Sequence, residues 1–197
     1  MISSVEQVTT NDSTKTKIGP FDYKDPKFSS KEAAYEASVK RYNDFKKSNP
    51  TEIIASCSDD FTIIIWSPST SKKPLNRMTG HQQLVNHISF SPDGTLLASA
   101  SFDKSVKVWD IQKQGKFIVT LRGHVGAVYQ VTFSSDSRKL VSSSRDSTCK
   151  VWDLVKGGKM IFELPGHADE VYTCDWAPDG ACLASGGKDK TLKIWKH

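Results

Sequence analysis

Apolar and polar residues alternate in short runs along most of the chain, and turn-forming residues separate the runs. The clearest series is AVYQVTFSSD, KLVSSS, TCKVWDL and KMIFEL, between positions 127 and 164. The segments SPDG, SSDS and APDG follow Phe90, Phe133 and Trp176 and are rich in turn formers. Alternation with a period of two is typical of half-buried β-strands. Each series of this kind is therefore predicted to be a small sheet of short strands.

The pattern repeats with a constant step of 43 residues. Four residue types keep the same register: Trp66, Trp109, Trp152 and Trp195; His81, His124 and His167, each after a glycine; Asp60, Asp103, Asp146 and Asp189; Ser56, Ser99, Ser142 and Ser185. A period of about 40–45 residues with Gly-His and Trp-Asp marks is typical of the blades of a WD-repeat β-propeller.

The repeat divides the chain into four units, whose strands are lettered a to d from the inner to the outer edge. Units two and three are predicted to be complete, with strands near 85–91, 96–101, 105–110 and 117–121, and near 128–134, 139–144, 148–153 and 160–164. Unit four has strands a, b and c. Unit one has strands b, c and d near 52–57, 61–66 and 75–79, and Ser38 stands where its histidine is expected.

We therefore expect an all-β fold: a partial WD-repeat β-propeller with two complete and two incomplete four-stranded blades in an open arc, and one N-terminal helix. Open ends leave sheet edges and blade faces uncovered, so the sequence is interpreted as a truncated form or a fragment that self-associates, aggregates or is rescued by missing blades.

The predicted helix occupies the segment SSKEAAYEASVKRYNDFKKSNP. Ser29 and Glu32 form a capping-box pattern, and Asn49-Pro50 ends the helix. Its apolar face carries Tyr35, Val39, Tyr42 and Phe45. This face is expected to pack on the blades, with binding of a partner as the alternative. The expected domains are a disordered tail over 1–28, a helical insertion over 29–49 and a partial propeller over 51–197.

A serine, a histidine and an aspartate lie close together in unit three, as in the catalytic triad of a hydrolase. The same three residue types recur in units two and four. A repeated fold needs the same fastening in every blade, whereas repeated copies of one triad are rare. Ser142, His124, Asp146 and Trp152 are therefore predicted to form a buried structural network. The sequence predicts no catalytic residue, no cofactor and no metal site.

Composition narrows the class of protein further. The chain has 197 residues, 37% hydrophobic and 25% charged, with a formal net charge of +5. This charge suits an acidic partner such as RNA, although a lysine-rich solvated surface is the simpler interpretation. Its longest apolar run, TIIIW, is far shorter than a membrane span, and the N-terminus lacks the apolar core of a secretion signal. Cys57, Cys149, Cys174 and Cys182 match no zinc pattern and are expected to be reduced.

Several stretches resemble the Notchless family of WD-repeat ribosome-assembly proteins more closely than a generic WD repeat. They are SDDFTIIIWSPSTSKKPLNRMTGHQ, SASFDKSVKVWD, RGHVGAVYQ, LPGHADEVY and SGGKDK, and the resemblance covers 51–197. It implies a non-catalytic scaffold that acts in the nucleus and nucleolus. Its expected partners are proteins of the precursor of the large ribosomal subunit, with rRNA of that particle as a further candidate. In that family a ubiquitin-like domain engages the midasin ATPase. No part of this sequence matches that domain, so the contact with midasin is not carried over.

The resemblance also implies where a partner docks, because WD repeats often bind at the face formed by the loops before strand a and the b–c turns. We name this the top face. The positions carried over are Leu84, Asn86, Phe102, Ala127, Tyr129, Arg145, Glu170, Tyr172 and Lys188. Tyrosine and arginine are frequent hot-spot residues, but the two tyrosines are equally compatible with merely lining the channel rim. The alternative function is a general WD-repeat adaptor in ubiquitin-ligase or signalling complexes.

Overall fold

A computed structural model describes residues 31–48 and 52–196. Within these ranges the chain forms one helix and short strands in the order α1 (Lys31–Ser48), β1 (Ile54–Cys57), β2 (Ile63–Trp66), β3 (Asn76–Met78), β4 (Val85–Phe90), β5 (Leu96–Ser101), β6 (Ser105–Asp110), β7 (Lys116–Arg122), β8 (Val128–Phe133), β9 (Lys139–Ser144), β10 (Thr148–Asp153), β11 (Lys159–Pro165), β12 (Val171–Trp176), β13 (Cys182–Gly187) and β14 (Leu192–Lys196).

The strands form four antiparallel sheets that correspond to the four predicted units. Blade one contains β1 to β3, blade two β4 to β7, blade three β8 to β11 and blade four β12 to β14, each in sequence order. Blades two and three have four strands. Among the described residues, blade one has no strand inside β1 and blade four has none outside β14. The prediction of a partial, unclosed propeller with two complete blades is confirmed.

Each blade has two apolar sides because side chains alternate across its strands. We call the side that carries the repeated tryptophan the front face, and the other side the rear face. In blade three the front face presents Leu140 and Trp152, and the rear face presents Cys149 and Val151. The front faces of blades two, three and four each pack on the rear face of the blade before, so the core of the molecule lies between blades.

The inner strands are also joined directly across neighbouring blades. The Asn86 side chain donates from Nδ2 to the carbonyl oxygen of Tyr129 at 2.6 Å. The Gln130 side chain accepts, at Oε1, the backbone N–H of Cys174 at 3.3 Å. Blade one is tied to blade two by the bond from the Val85 N–H to the Ser58 carbonyl oxygen at 3.3 Å. These links hold the inner strands of blades two, three and four, and blades one and two, in a fixed relation.

Helix α1 contacts the blades through a charged side chain. Arg41 donates from Nε to Asp93 Oδ2 at 2.9 Å and from Nη2 to the Asp136 carbonyl oxygen at 2.7 Å. Asp93 and Asp136 lie in the a–b turns of blades two and three, at the opposite end from the b–c turns. Strands that run antiparallel bring alternate turns to opposite ends of a blade.

The expected packing of the helix's aromatic face is not what the structure shows for three of its residues. Tyr35, Val39 and Tyr42 are 53%, 39% and 42% exposed. Ser29, of the predicted capping box, and the predicted tail lie outside the described residues. Among those residues, no helix has the length and apolar character needed to cross a membrane.

Candidate functional site

The histidine, serine, aspartate and tryptophan of blade three meet in one hydrogen-bonded chain. His124 lies 2.8 Å from Asp146 Oδ2 through Nδ1, and 2.8 Å from Ser142 Oγ through Nε2. The Trp152 indole N–H donates to Ser142 Oγ at 2.9 Å. An ionised carboxylate accepts only, so Nδ1 carries the donated hydrogen, and Nε2 of a neutral ring accepts from the serine.

Blades two and four repeat this chain. The partners lie 2.7–3.0 Å apart in the sets His81, Ser99, Asp103, Trp109 and His167, Ser185, Asp189, Trp195. The structure thus brings together the twelve residues that the sequence assigns to blades two, three and four.

The local sequence of the b–c turn explains how the aspartate is positioned. Asp146 Oδ1 accepts the backbone N–H of Thr148 at 3.1 Å and its hydroxyl at 2.7 Å. Ser147, between them, has a left-handed φ of 66°. Asp146 Oδ2 also accepts the Val125 N–H at 3.0 Å. One carboxylate therefore closes its own turn and ties it to the loop before strand a.

These bonds determine the charge of the carboxylate. Burial alone raises the pKa of Asp146, but the hydrogen bonds from His124, Thr148 and the Val125 N–H lower it further than burial raises it. The net result is a pKa well below the ordinary 3.8. The pKa values of Asp103 and Asp189 are lowered by equivalent hydrogen bonds, again against the effect of burial.

This geometry resembles a catalytic triad in its order of contacts but does not expose a nucleophile. Ser99 and Ser142 are 0% exposed and Ser185 is 2% exposed. Each serine oxygen also accepts an indole N–H. A substrate has no access to such a serine, whereas buried polar groups that pair with one another fasten a fold.

Blade one builds the network differently. Trp66 Nε1 donates to Ser56 Oγ at 3.1 Å, as in the other blades. With no histidine in register, Arg77 of β3 donates from Nη2 to Asp60 Oδ2 at 3.0 Å. The repeat predicted that blade one lacks its histidine, because Ser38 stands at that position. It did not predict the role of Arg77, because arginine is not one of the four residue types that recur every 43 residues.

Three predicted top-face residues of blades three and four, Tyr129, Arg145 and Lys188, surround the side chain of Glu170. The Tyr129 hydroxyl donates to Glu170 Oε2 at 2.9 Å. Arg145 Nε and Lys188 Nζ lie 3.5 Å and 3.7 Å from Glu170 Oε1. Lys188 Nζ also lies 3.6 Å from Asp169 Oδ2, a residue that sequence reasoning did not single out. Desolvation, followed by the bond to Glu170 and its charge, raises the pKa of Tyr129 to about 12.

An aromatic row crosses the same face, with one side chain from each of three blades. The ring centroids of Phe102 and Tyr129 are 5.7 Å apart with a 71° interplanar angle, and those of Tyr129 and Tyr172 are 5.4 Å apart. Such separations are favourable for aromatic pairs. Tyr172 is 48% exposed and lies near the charge of Lys188, so the row ends in an accessible ring beside a cation.

The top-face candidates Leu84, Ala127 and Asn86 make hydrogen bonds to the backbone of neighbouring segments and do not present functional groups to a partner. The carbonyl oxygens of Leu84 and Ala127 accept the N–H groups of Phe102 and Arg145 at 3.1 and 2.9 Å. Asn86 is engaged with the Tyr129 carbonyl, as described above. These contacts position the aromatic row and Arg145.

The cysteines are free, with Cys149 and Cys174 buried and Cys57 and Cys182 partly buried. Over residues 31–48 and 52–196, no group of three or more His, Cys, Asp or Glu side chains is arranged to hold a metal ion.

Comparison with known proteins agrees with the division into four units. The family model described as WD domain, G-beta repeat, matches residues 38–67, 72–110, 115–153 and 158–196. These matches cover well over half of the chain and follow the repeat of 43 residues.

Three relatives share shorter segments at higher identity. Ribosome assembly protein 4 of Saccharomyces cerevisiae is 49% identical over 80 residues, which is 40% of this chain and 16% of that protein. The Notchless protein homolog of Arabidopsis thaliana is 52% identical over 59 residues, 30% of this chain and 12% of that protein. Ribosome assembly protein 4 of Chaetomium thermophilum is 53% identical over 51 residues, 25% of this chain and 10% of that protein. The chain therefore matches less than a fifth of the length of these relatives.

Proposed function

Because the chain belongs to the WD-repeat family, we propose that it is a non-catalytic interaction scaffold, and that it acts in the assembly of the large ribosomal subunit. Its proposed partners are proteins of the precursor particle and, through the cations of the top face, rRNA. The proposed location is the nucleus and the nucleolus, where these particles are built.

The observation that carries this proposal is the 49% identity over 80 residues with a protein named for ribosome assembly. The WD repeat alone supports only a scaffold, because one fold hosts many functions. The shared segment is longer than one 43-residue repeat. It therefore includes sequence that the requirements of a single blade do not explain.

The proposed binding surface is the top-face cluster of Tyr129, Arg145, Tyr172 and Lys188. Tyrosine and arginine contribute much of the binding energy in many interfaces. The exposed Tyr172, with Lys188 close to it, also suits stacking on an unpaired base with a phosphate nearby. Glu170 and Asp169 hold the two cations in place and reduce the net positive charge, which favours a specific partner over general attraction to nucleic acid.

The test is co-sedimentation of the full chain with precursor particles on a sucrose gradient, using the Tyr129→Ala, Arg145→Ala double variant. We expect the wild-type chain to travel with particles of the large subunit and the variant to shift to the top of the gradient. The melting temperature of the variant should fall only modestly, since Arg145 is exposed and Tyr129 is only partly buried.

The matched control is Val155→Ala with Lys156→Ala, in the c–d turn of blade three. Val155 is 51% exposed, and Lys156 pairs with Asp153 at 3.7 Å much as Arg145 pairs with Glu170. This turn lies at the end opposite the top face, so the control should sediment as the wild type does. A wild-type chain that never enters particle fractions, and instead purifies with a ubiquitin ligase, would favour the general-adaptor alternative. Equal loss in both variants would remove the top face from the proposal.

A further inference from the structure

The interface between blades three and four contains a pair of buried cysteines. Cys149 lies on β10, on the rear face of blade three, and Cys174 lies on β12, the inner strand of blade four. Both residues are 1% exposed, and both belong to the apolar cluster between these two blades. Neither takes part in the repeated histidine networks or in the top-face cluster, so the proposed function leaves this pair without a role.

The 43-residue repeat shows that the two positions lie in one cluster at each interface between consecutive blades. Their equivalents are Val106 and Val131 between blades two and three, and Ile63 and Ile88 between blades one and two. Branched aliphatic side chains fill the place in both cases, whereas the third interface has two thiols. A cysteine side chain is smaller than that of valine, so packing alone does not call for thiols here.

The two thiols are also in contact with each other. Contact with the Cys149 side chain is the main cause, ahead of burial, that raises the pKa of the Cys174 thiol well above its ordinary 9.0. The backbone holds the pair in place, because Gln130 of blade three accepts the Cys174 N–H at 3.3 Å and Cys149 pairs with Ser143 of β9. A disulfide requires two cysteines that already lie close together on backbone held in this way.

We infer that Cys149 and Cys174 form a redox-sensitive link, in which a low-molecular-weight disulfide oxidises the thiol pair to a covalent bond between blades three and four. Oxidised glutathione is a disulfide of this class. A bond between β10 and β12 closes the loop of chain that joins them, which stabilises the folded state against unfolding. This inference concerns the chain alone and does not depend on the proposed function.

The reaction has two exchange steps. In the first, the thiolate of one cysteine attacks a sulfur of oxidised glutathione, the bond between the two glutathione sulfurs breaks, and one glutathione thiolate leaves. In the second, the thiolate of the other cysteine attacks the protein sulfur of the mixed disulfide, and the second glutathione thiolate leaves. The protein thiols lose two electrons and two protons in total, and one oxidised glutathione is reduced to two glutathione molecules.

Burial determines when this reaction occurs. A thiol must lose its proton before it attacks a disulfide, and both the raised pKa of Cys174 and the burial of the pair oppose this while the two blades are packed. The first step therefore needs a transient separation of blades three and four. When the blades come together again, the mixed disulfide approaches the second thiol, and this proximity favours the second step.

The first experiment incubates the full, purified and reduced chain with oxidised glutathione at mildly alkaline pH. Free thiols are then alkylated in denaturant and counted by mass spectrometry. The wild type should lose two of its four thiols, and peptide mapping should show the peptides of Cys149 and Cys174 joined.

The variants Cys149→Val and Cys174→Val should not form this bond. Both should fold, because valine stands at the equivalent positions, Val106 and Val131, of the neighbouring interface. Cys182→Ala is the matched control, since Cys182 lies on β13 of blade four outside the pair, and it should form the bond as the wild type does.

The second experiment repeats the oxidation at urea concentrations below the unfolding transition. The bond should form faster as urea rises, because urea promotes separation of the blades. The oxidised wild type should unfold at a higher urea concentration than the reduced wild type, and dithiothreitol should restore the lower midpoint. Cys174→Val should gain no stability from the oxidant.

Three results would overturn the inference. The first is a wild-type chain that keeps four free thiols, or stops at glutathione adducts, at every urea concentration. The second is a bond that joins other cysteines or links two chains instead of this pair. The third is an oxidised chain that unfolds at the same or a lower urea concentration than the reduced chain, because the bond would then not fasten the two blades. If a valine variant does not fold, Cys149→Ala and Cys174→Ala replace it with the same expectations.

Discussion

Blade one and blade three carry equivalent residues in the same 43-residue repeat, but these residues differ in exposure and in hydrogen-bond partners. In blade three, Leu140 and Trp152 are 0% and 1% exposed, and His124 joins Asp146 to Ser142. In blade one, Ile54 is 52% exposed and Trp66 is partly exposed. There an exposed arginine from the outer strand takes the place of the histidine at the aspartate.

The difference shows when the four-residue network is needed. Where a blade is covered by its neighbour, the indole N–H, the hydroxyl and the carboxylate lose water and must pair with one another. A histidine suits this place because its two ring nitrogens join the carboxylate and the hydroxyl at once. Where the face stays accessible, water and a single surface ion pair suffice, and the histidine is dispensable.

The largest loss of stability is expected when the tryptophan of blade three is removed, and the same substitution in blade one provides the comparison. Trp152→Ala should lower the free energy of unfolding by about 3–5 kcal/mol, because it leaves a cavity between two blades and removes the donor to Ser142. Trp66→Ala should cost less than half as much, because its ring is already partly exposed. Urea unfolding at concentrations where the chain is monomeric measures both values.

Trp152→Phe serves as a control, since it keeps most of the apolar volume and loses only the indole N–H. It should fall between the wild type and Trp152→Ala. Equal losses for Trp66→Ala and Trp152→Ala would mean that the front face of blade one is covered in solution even in the monomer.

Much of the fold could be predicted from the repeat, because each blade needs apolar residues at the same positions to pack against its neighbours. Every blade must bury the same positions, so alternation and the marks placed strands such as β8 at 128–133, against a predicted 128–134. The network partners in blades two to four followed for the same reason. Within the candidate binding site, Tyr129, Arg145, Glu170 and Lys188 lie close together as the repeat positions predicted, and the binding of a partner there stays a prediction.

The contacts outside the repeat were not predictable in this way. The pairing of Arg77 with Asp60, and of Arg41 with the turns at Asp93 and Asp136, depends on where a non-repeating residue lies in three dimensions. The amphipathic pattern of α1 wrongly favoured burial of Tyr35, Val39 and Tyr42, because the helix is tied to the blades by a charged side chain instead. The contacts of Glu170 with Tyr129, Arg145 and Lys188 could not be predicted from the sequence either, because these three partners come from two different blades.

A smaller effect is expected from the histidine that blade one lacks. His124→Ala should lower the free energy of unfolding by about 1–3 kcal/mol, because Asp146 and Ser142 are left buried with one partner fewer. Thermal or urea unfolding measures the change. A serine-reactive phosphonate should label neither the wild type nor this variant, and labelling of Ser142 would contradict a structural role for the network.

The smallest effect should come from the arginine that replaces this histidine in blade one. Arg77 and Asp60 have side chains that are 59% and 49% exposed, and exposed ion pairs contribute little to stability. Arg77→Ala should therefore lower the unfolding midpoint only slightly at low salt. The difference should vanish at about 1 M salt, where the screening length falls to about 3 Å.

Arg122→Ala, on the exposed side of outer strand β7, is the control for loss of a positive charge. A loss on Arg77→Ala as large as that of His124→Ala, and insensitive to salt, would mean that the arginine carries the full structural role of the histidine and that the two blades differ only in the residue they use.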